Sequence, residues 1–547
     1  MAQIFVNNAT GIVLAALLLS NICSTTDAAS PPEKRPAKVD RLRLAGGDFG
    51  YPSPFAYVRG PGIIQASYLY DTLLWPDSTG KPIPWLASKR EHSADGKEWR
   101  FTLREGIKWH DGRPLTADDV VFSFNYLISG AGKTATGILG RIEVKEVVAD
   151  GANAVVIRLD RPSATFEESV ASRVMIIPKH IWAEVTDPRK LRGASAVMGS
   201  GPYKLVSYDE AAGSYLYVAN DAYFLDPPVV RRLEFVPAPD ELLALRRGVV
   251  DAAEILEEGV PKEQLSAFEG QAKFGKLQGS GDWNLALHFN LTKGFPYNDK
   301  RFRQAVAYAV DRRDLVRRLL FGRGEPGSSG GLVPGHAFLA KGLPSYEKDT
   351  AKAKALLDEV GLKDVNGDGL RDSPDGKPFR QELQTSARFS LKSAELIKEY
   401  LRGVGIDVVV KSQDRAAADT AAAEGNYTMA LVGYGGGTAD PDFLRLRFAS
   451  QVKARSFSRA QGYKNSEFDE LAEQQLVTLV ENKRREIIAQ MQKILAEELP
   501  LISLYVPARV SFFNKGAFDG WYYTPGCSPC RGTRNKHMLV TGKKVGL

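Results

Sequence analysis

At 547 residues, with 44% hydrophobic, 10% aromatic and 25% charged positions, the chain is too long for one core and too apolar for a disordered one; about 100 to 200 residues per domain gives three domains, or four. Lys and Arg exceed Asp and Glu by 72 to 65. The surplus is spread out, with no basic run and no recognised binding motif beside it, so nucleic acid is not an indicated partner.

Residues 1–28 read as an export signal: Gly11 to Cys23 is apolar, as long as a secretory core and too short to span a bilayer. No Lys or Arg precedes it, which leaves the positive charge to the amino terminus. Cys23 raises lipid attachment as an alternative, against which Ile22 fills a place where such a site wants a small residue. Pro31 to Lys38, rich in proline and charge, reads as a flexible start. Arg41 to Ala45 then reads as a strand running into Gly46, Gly47, Asp48, Phe49 and Gly50, where glycines admit either close backbone approach to a ligand or a plain turn. Ile63 to Leu74 has helical periodicity.

The stretch Trp99 to Tyr126 carries the densest signal. Trp99 to Leu103 alternates with period two, which predicts a strand with one buried face. His110-Asp111-Gly112 and Pro114 mark a turn, and Thr116 with Asp119 three residues on predicts a helix from about Ala117. His110 and Asp111 read as turn formers beside that cap. In this order the R-E-G-x-K-W-H-D-G turn and the P-L-T-A-D-D-V helix resemble the signature segment of family 5 solute-binding proteins, the extracytoplasmic receptors of ABC importers for dipeptides, oligopeptides, nickel chelates, opines and oligosaccharides.

Downstream segments extend the resemblance: Gly199 to Leu205 (G-S-G-P-Y-K-L), Asn220 to Phe224, Val230 to Phe235, Ala244 to Asp251, the strand Leu285 to Asn290, and the helix Arg301 to Asp311. The strand Tyr427 to Gly433 delivers Tyr434 to Asp442 into a loop, and Leu499 to Arg509 matches the family's return segment. The likeness runs from about Leu42 to Arg509. It implies an α/β, two-lobed periplasmic-binding-protein fold (type II, cluster C) with an extra domain. Domain I would comprise 36–72, 198–283 and 504–547, domain II would be inserted at 73–197, domain III, the second lobe, would span 284–503, and hinges would lie near 280–286 and 500–506.

The same resemblance implies a cleft walled by Tyr434, Gly435, Gly436, Gly437 and Tyr505, with Gly47 and Asp48 opposite; Asp440 joins them unless its D-P-D turn only caps a helix. Peptide-binding members carry an aspartate where this chain has Gly437, and that carboxylate pairs with the ligand's α-ammonium. A buried ammonium without a counter-charge is costly. Either Asp440 or Asp48 supplies the charge, or the ligand has no free amino terminus.

Gly130 to Thr134 imitates the end of a phosphate-binding loop, but Leu127 stands where its first glycine is required and a helix precedes it. His288, alone on a strand, reads as a satisfied, half-buried side chain. Asp364, Asn366, Asp368, Asp372 and Asp375, with Gly369 at position six, have the spacing of a twelve-residue calcium loop; the alternative is a turn-rich surface loop, and any bound calcium would be structural. Cys527 and Cys530 read as a local disulfide in an oxidising compartment, since Pro525 and Pro529 oppose a redox motif and His537 alone does not complete a zinc site. No nucleophile or paired-carboxylate motif stands out. The expected protein is an exported monomer of the periplasm or cell envelope that needs no cofactor, is not an enzyme, and has a small-molecule or peptide ligand and ABC permease subunits as partners. The rival readings are a metal-dependent hydrolase using His110 and the calcium-like loop, and an export-compartment chaperone or sensory receptor.

Overall fold

In the strand Glu98–Leu103 the side chains of Trp99, Phe101 and Leu103 are buried and those between them half-exposed, as its period-two pattern requires. It pairs antiparallel with Ala87–His92 and with Ala154–Leu159, and Val144–Ala149 forms the next strand of this sheet. The helix Ala117–Ser129 follows the predicted turn. Asp119 reaches back to its start and accepts the Thr116 amide at 3.0 Å, the carboxylate half of a capping box. The other oxygen of Asp119 accepts the Lys179 amide at 3.0 Å, so the same side chain also holds the first residue of the short helix Lys179–Trp182.

The computed structural model of the chain describes residues 38–57, 62–77, 80–129, 144–255, 260, 262–281, 283–387, 390–435, 440–452, 456–522 and 536–542. The export signal with Cys23, the Gly130 to Thr134 segment, Gly436, Gly437 and the Cys527–Cys530 pair lie outside the described residues.

The helix expected over Ile63 to Leu74 is shorter, Gly62–Ser67, and Leu74–Pro76 is a strand. Tertiary backbone pairing overrides the periodicity. The carbonyls of Tyr68 and Leu69 accept the amides of Tyr203 and Gly201 at 3.0 and 2.8 Å, and that of Asp71 accepts Ile176 at 2.9 Å. Gly199 and Gly201 are needed there because a Cβ on either would strike the Leu69 backbone.

A second sheet places Leu42–Gly46 parallel to Arg232–Pro237, followed by Ser214–Ala219 and Tyr203–Asp209. Its buried aromatics Tyr203, Tyr215, Tyr217 and Phe235 share one core with Trp99, Phe101 and the helix residue Phe124. Leu74–Pro76 and Pro82–Pro84 make a small ribbon.

The largest sheet is built on the strand Leu501–Asn514. Its first part, Leu501 to Tyr505, pairs with Asn284–Phe289, beyond which lie Met429–Tyr434, Arg380–Ser386 and Asp407–Gln413. Its second part, Ala508 to Asn514, pairs with Phe274–Ser280, and Val510 to Phe513 also pair with Ala252–Ile255. The cores divide accordingly. Two clusters gather around residues 285–505, and a third joins Leu245, Phe268, Val510 and Phe512.

The short helix Lys536–Thr541 is locked to the first core by its first side chain. Lys536 and Asp71 are fully buried and pair at 2.7 Å. The same Asp71 oxygen accepts Trp85 Nε1 at 2.9 Å and the Tyr223 hydroxyl at 3.1 Å, while the other takes Ser200 at 3.2 Å. Burial pushes the Lys536 ammonium down from its usual range and Asp71 pulls it back up. Removing one partner of such a pair leaves a buried charge uncompensated. Lys536→Met is therefore expected to cost about 3 to 5 kcal/mol in urea unfolding, and Lys536→Met with Asp71→Asn to recover part of that loss.

Candidate functional site

The strand Met429–Tyr434 ends beside Asn284–Phe289, with Tyr434 opposite Asn284. Asn284 Nδ2 donates to the Tyr434 hydroxyl at 2.9 Å, and Ser503 Oγ donates to Asn284 Oδ1 at 2.8 Å, so a polar relay ties three strands together. From here the chain passes Gly435, which is exposed, towards Asp440 and the helix Phe443–Phe448.

Arg447 of that helix turns back over the strand end. Its guanidinium carbon lies 3.4 Å from the Tyr434 ring centroid and 3.8 Å from that of Phe443. Nη2 makes a long 3.4 Å contact to the Gly435 carbonyl. Nε and Nη1 have no hydrogen-bond acceptor, although the residue is only 6% exposed. Burial brings the guanidinium down to about 10, with the Tyr434 hydroxyl acting in the other direction. His288 stands edge-on to the Tyr434 ring, 6.0 Å between centroids. It is fully buried, and neither ring nitrogen has a well-formed hydrogen bond, which corrects the expectation of a half-buried, satisfied histidine. Burial first, and the Arg447 charge second, lower its pKa to about 3, so the imidazole is neutral.

The acids of this region are already paired. Asp440 receives Arg484 through both oxygens at 2.8 and 2.5 Å, and Asp442 receives Arg445 at 2.6 and 2.8 Å. Across the loop, Glu168 accepts the Asp440 amide at 3.2 Å. Nearby, Arg161 pairs with Glu473 at 2.6 Å and the Ala164 amide donates to the Leu476 carbonyl at 2.7 Å. These contacts join the segment after the antiparallel sheet to the helices that follow the loop.

The sequence-predicted residues are only partly gathered. Tyr434, Gly435 and Asp440 share one loop. Tyr434, however, is 3% exposed and forms the floor of that loop rather than a wall. Tyr505 is fully buried, with its hydroxyl 2.8 Å from Ser393 Oγ, and packs with Leu285 in a different core cluster from Tyr434. Neighbouring strand positions face opposite sides of a sheet, so these two tyrosines do not meet. Gly47 and Asp48 lie after the strand Leu42–Gly46 on the other sheet. Asp48 accepts the Tyr208 hydroxyl at 2.8 Å and the Gly50 amide at 3.0 Å.

The acids of the twelve-residue loop make local bonds to the backbone of their own turns. Asp364 accepts the Gly367 and Gly369 amides at 2.8 and 2.9 Å, Asn366 that of Asp368 at 2.9 Å, Asp368 that of Leu370 at 2.8 Å, and Asp372 that of Val365 at 3.0 Å. Asp375 pairs with Lys377 at 2.8 Å. The carboxylates thus face backbone amides instead of one another, and among the described residues no three His, Cys, Asp or Glu side chains are grouped to hold a metal. His110 is fastened elsewhere: its Nε2 lies 3.0 Å from the Gly201 carbonyl, and Asp111 pairs with His180 at 2.9 Å.

Two residues absent from the sequence reading pack on the end of this strand. Arg447 was visible only as an arithmetic remainder, three arginines (445, 447, 484) against two acids (440, 442). Trp283 lies against Gly433, where any Cβ would collide with its ring, and borders a small cavity with Ser386, Arg415, Asp419 and Gly433. A glycine inside a strand is the sequence sign of such close approach.

Comparison with known proteins follows this geometry. Residues 81–456 match the model described as bacterial extracellular solute-binding proteins, family 5 middle. The oligopeptide-binding protein AppA of Bacillus subtilis is 28% identical over 457 residues, covering 80% of this chain and 81% of that protein. The dipeptide-binding protein of Escherichia coli is 27% identical over 457 residues, covering 79% and 83%. The crystal structure of NikZ from Campylobacter jejuni in complex with Ni(L-His) superposes with a TM-score of 0.74 at 23% identity, over 92% of this chain and 99% of that one. The two-lobed, type II α/β fold expected from the sequence is the fold present.

Because Tyr434 is floor, Tyr434→Ala is expected to cost about 3 to 5 kcal/mol of stability by denaturant titration, and Tyr434→Phe only about 1. His288 and His110 are held by burial at about 3 and about 4 in the folded protein, below the 6.5 of the free side chain. The unfolded chain therefore binds more protons below pH 6.5, and stability present above that value falls with pH by up to about 1.4 kcal/mol per unit for each histidine. His288→Leu should flatten the slope of unfolding free energy measured between pH 6.5 and about 5.

Proposed function

Since the chain belongs to the family 5 bacterial extracellular solute-binding proteins, we propose that it is the exported receptor of an ABC importer. It captures a peptide or peptide-like solute between two lobes and passes it unchanged to the membrane permease. The carrying observation is the strand Leu501–Asn514, whose two halves pair with different strands, Asn284–Phe289 and Phe274–Ser280. Those two partners are consecutive in the chain, so the connection near residue 281 and the change of partner near residue 507 lie side by side. A Cβ on Gly281 would strike the Pro507 carbonyl. Two crossings at one level are the geometry of a hinge, and bending there opens a cleft without breaking either core. On this reading 36–72, 198–283 and 504–547 form one lobe with 73–197 inserted, and 284–503 forms the other.

A second observation bears on the solute. Asp440 is occupied by Arg484, and Asp48 by Tyr208 and the Gly50 amide. Asp440 is therefore not a ready counter-charge for an ammonium, whereas Asp48 is bonded only to neutral donors, through one oxygen, and is the acid left to meet one. Nothing in the proposed cycle makes or breaks a bond; affinity comes from enclosure away from water. Among the described residues no helix is long and apolar enough to cross a membrane.

The test is small-angle scattering and tryptophan fluorescence over a panel of peptides, metal chelates and sugars. A bound solute is expected to shrink the radius of gyration and shift the emission of Trp283, and Trp283→Phe to remove most of the shift. Scattering that never changes, while one panel member is turned into product, would replace the receptor by an enzyme.

A further inference from the structure

The hairpin tip between Ala87–His92 and Glu98–Leu103 holds a glycine that is buried although its neighbours Ala94, Asp95 and Lys97 are exposed. Gly96 has a φ of +67°, and the three atoms nearest a Cβ placed there all belong to Leu479. Leu479 comes from the turn between the helices Ser466–Val477 and Glu481–Glu498, in the other lobe on the receptor reading. Polar contacts join the same two bodies: Arg161 to Glu473 at 2.6 Å, the Ala164 amide to the Leu476 carbonyl at 2.7 Å, and the Asp440 amide to Glu168 at 3.2 Å. The second of these satisfies a helix end. After Ser466–Val477 the carbonyls of Gln474 and Gln475 are taken by Thr478, and that of Leu476 by a residue of the inserted stretch.

Each face is held by its own lobe. On one, Arg90 pairs with Glu167 at 2.6 Å and ties the segment of Glu168 to the hairpin, while the buried Phe166 lies against Trp99 and Phe101. On the other, the fully buried Gln475 donates to Asp442 at 2.7 Å and accepts from Arg484 at 2.9 Å, and Arg484 holds the Asp440 whose amide Glu168 accepts. The contacts between the faces are light. Arg161 and Glu473 are 44% and 37% exposed, an ion pair of the weak, salt-screened kind, and single hydrogen bonds and one leucine add little each. Such a set biases two lobes towards meeting without welding them. Resting on the receptor reading above, we propose that the inserted domain, through Gly96, Arg161, Ala164 and Glu168, is a latch on Asp440 and residues 473–479 that holds the lobes closed without solute. The latch is made of protein groups alone, so it favours closure equally whatever lies between the lobes. Its strength scales the affinity for every solute by one factor and leaves the order of preference among solutes unchanged.

The experiment uses the full chain and three variants, Arg161→Glu, Leu479→Ala, and the charge swap Arg161→Glu with Glu473→Arg. The empty proteins are measured at low salt, by small-angle scattering for the radius of gyration and by hydrogen exchange in peptides spanning Ala164. The wild type is expected to be compact and protected at Ala164. Arg161→Glu and Leu479→Ala expand the molecule and speed that exchange by about three- to tenfold, and the swap restores both. Affinities are then measured for those members of a panel of tripeptides, a nickel–histidine chelate and maltotriose that the wild type retains. Each is expected to fall about three- to tenfold in Arg161→Glu, by the same factor for all, and to recover in the swap. Scattering and exchange that do not change in either single variant overturn the latch. So does a swap that fails to restore them, the mark of damage unrelated to the pair, and so do losses that differ from solute to solute, the mark of residues that touch the solute. Retention of no panel member by the wild type removes the receptor reading, and the scattering and exchange of the empty proteins still decide the latch.

Discussion

Leu501–Asn514 is the constraint on which the other elements depend. Its burial is continuous from Leu501 to Pro507, breaks at Ala508 and Arg509, and resumes at Val510. The break coincides with the change of partner strand. Pro507 has no amide hydrogen to give to the ladder, so the strand changes neighbours at a residue where a bond is missing in any case. At the same level Gly281 brings the other crossing into contact with the Pro507 carbonyl, an approach that any side chain at 281 would block. On its other edge the strand is held through this change by Gly324–Pro326, which pair with Tyr505 to Pro507, and by the Ala508 amide, which donates to the Arg323 carbonyl at 3.0 Å.

The charges around the loop obey a similar economy. Asp440 and Asp442 each hold one arginine with both oxygens, and they also bind backbone or side-chain donors: Asp440 accepts the Asp442 amide and Asp442 accepts Gln475. Saturating both acids fixes the loop's exit and leaves the third arginine unmatched. Evolution does not usually retain a buried cation in that condition for stability, since an apolar side chain of similar volume is as good or better.

How much of this was legible depends on how far each signal reaches along the chain. The strand Glu98–Leu103 and the cap of Ala117–Ser129 could be read because alternation and an acid three residues after a hydroxyl are local patterns with local causes. The helix after Gly62 could not be bounded, because its end is set by amides more than a hundred residues away, at Gly201 and Tyr203. The loop around Tyr434 was found, yet the orientation of Tyr434 and Tyr505 was not. A strand position says that a side chain points to one face or the other, and only the pairing partner says which face is core. The run of acids from Asp364 to Asp375 has the spacing of a cation loop, but spacing does not tell whether carboxylates turn towards a shared centre or towards the amides of their own turns. Arg447 was hidden for a related reason: which arginine lacks an acid is a property of contacts.

The crossings at residues 281 and 507 and the loop after Tyr434 are linked through the same strands. Asn284 begins the strand that emerges from the crossing at Gly281, and Ser503 lies four residues before Pro507 on the long strand. Ser503 donates to Asn284, which in turn donates to the Tyr434 hydroxyl, and the Tyr434 ring is the surface on which Arg447 rests. Asn284 and Ser503 stand on adjacent, directly paired strands and both lie on the 284–503 side of the crossings, so a bend at 281 and 507 would carry the relay as one piece, with its 2.8 and 2.9 Å bonds kept and the stack of Arg447 on Tyr434 carried along with it.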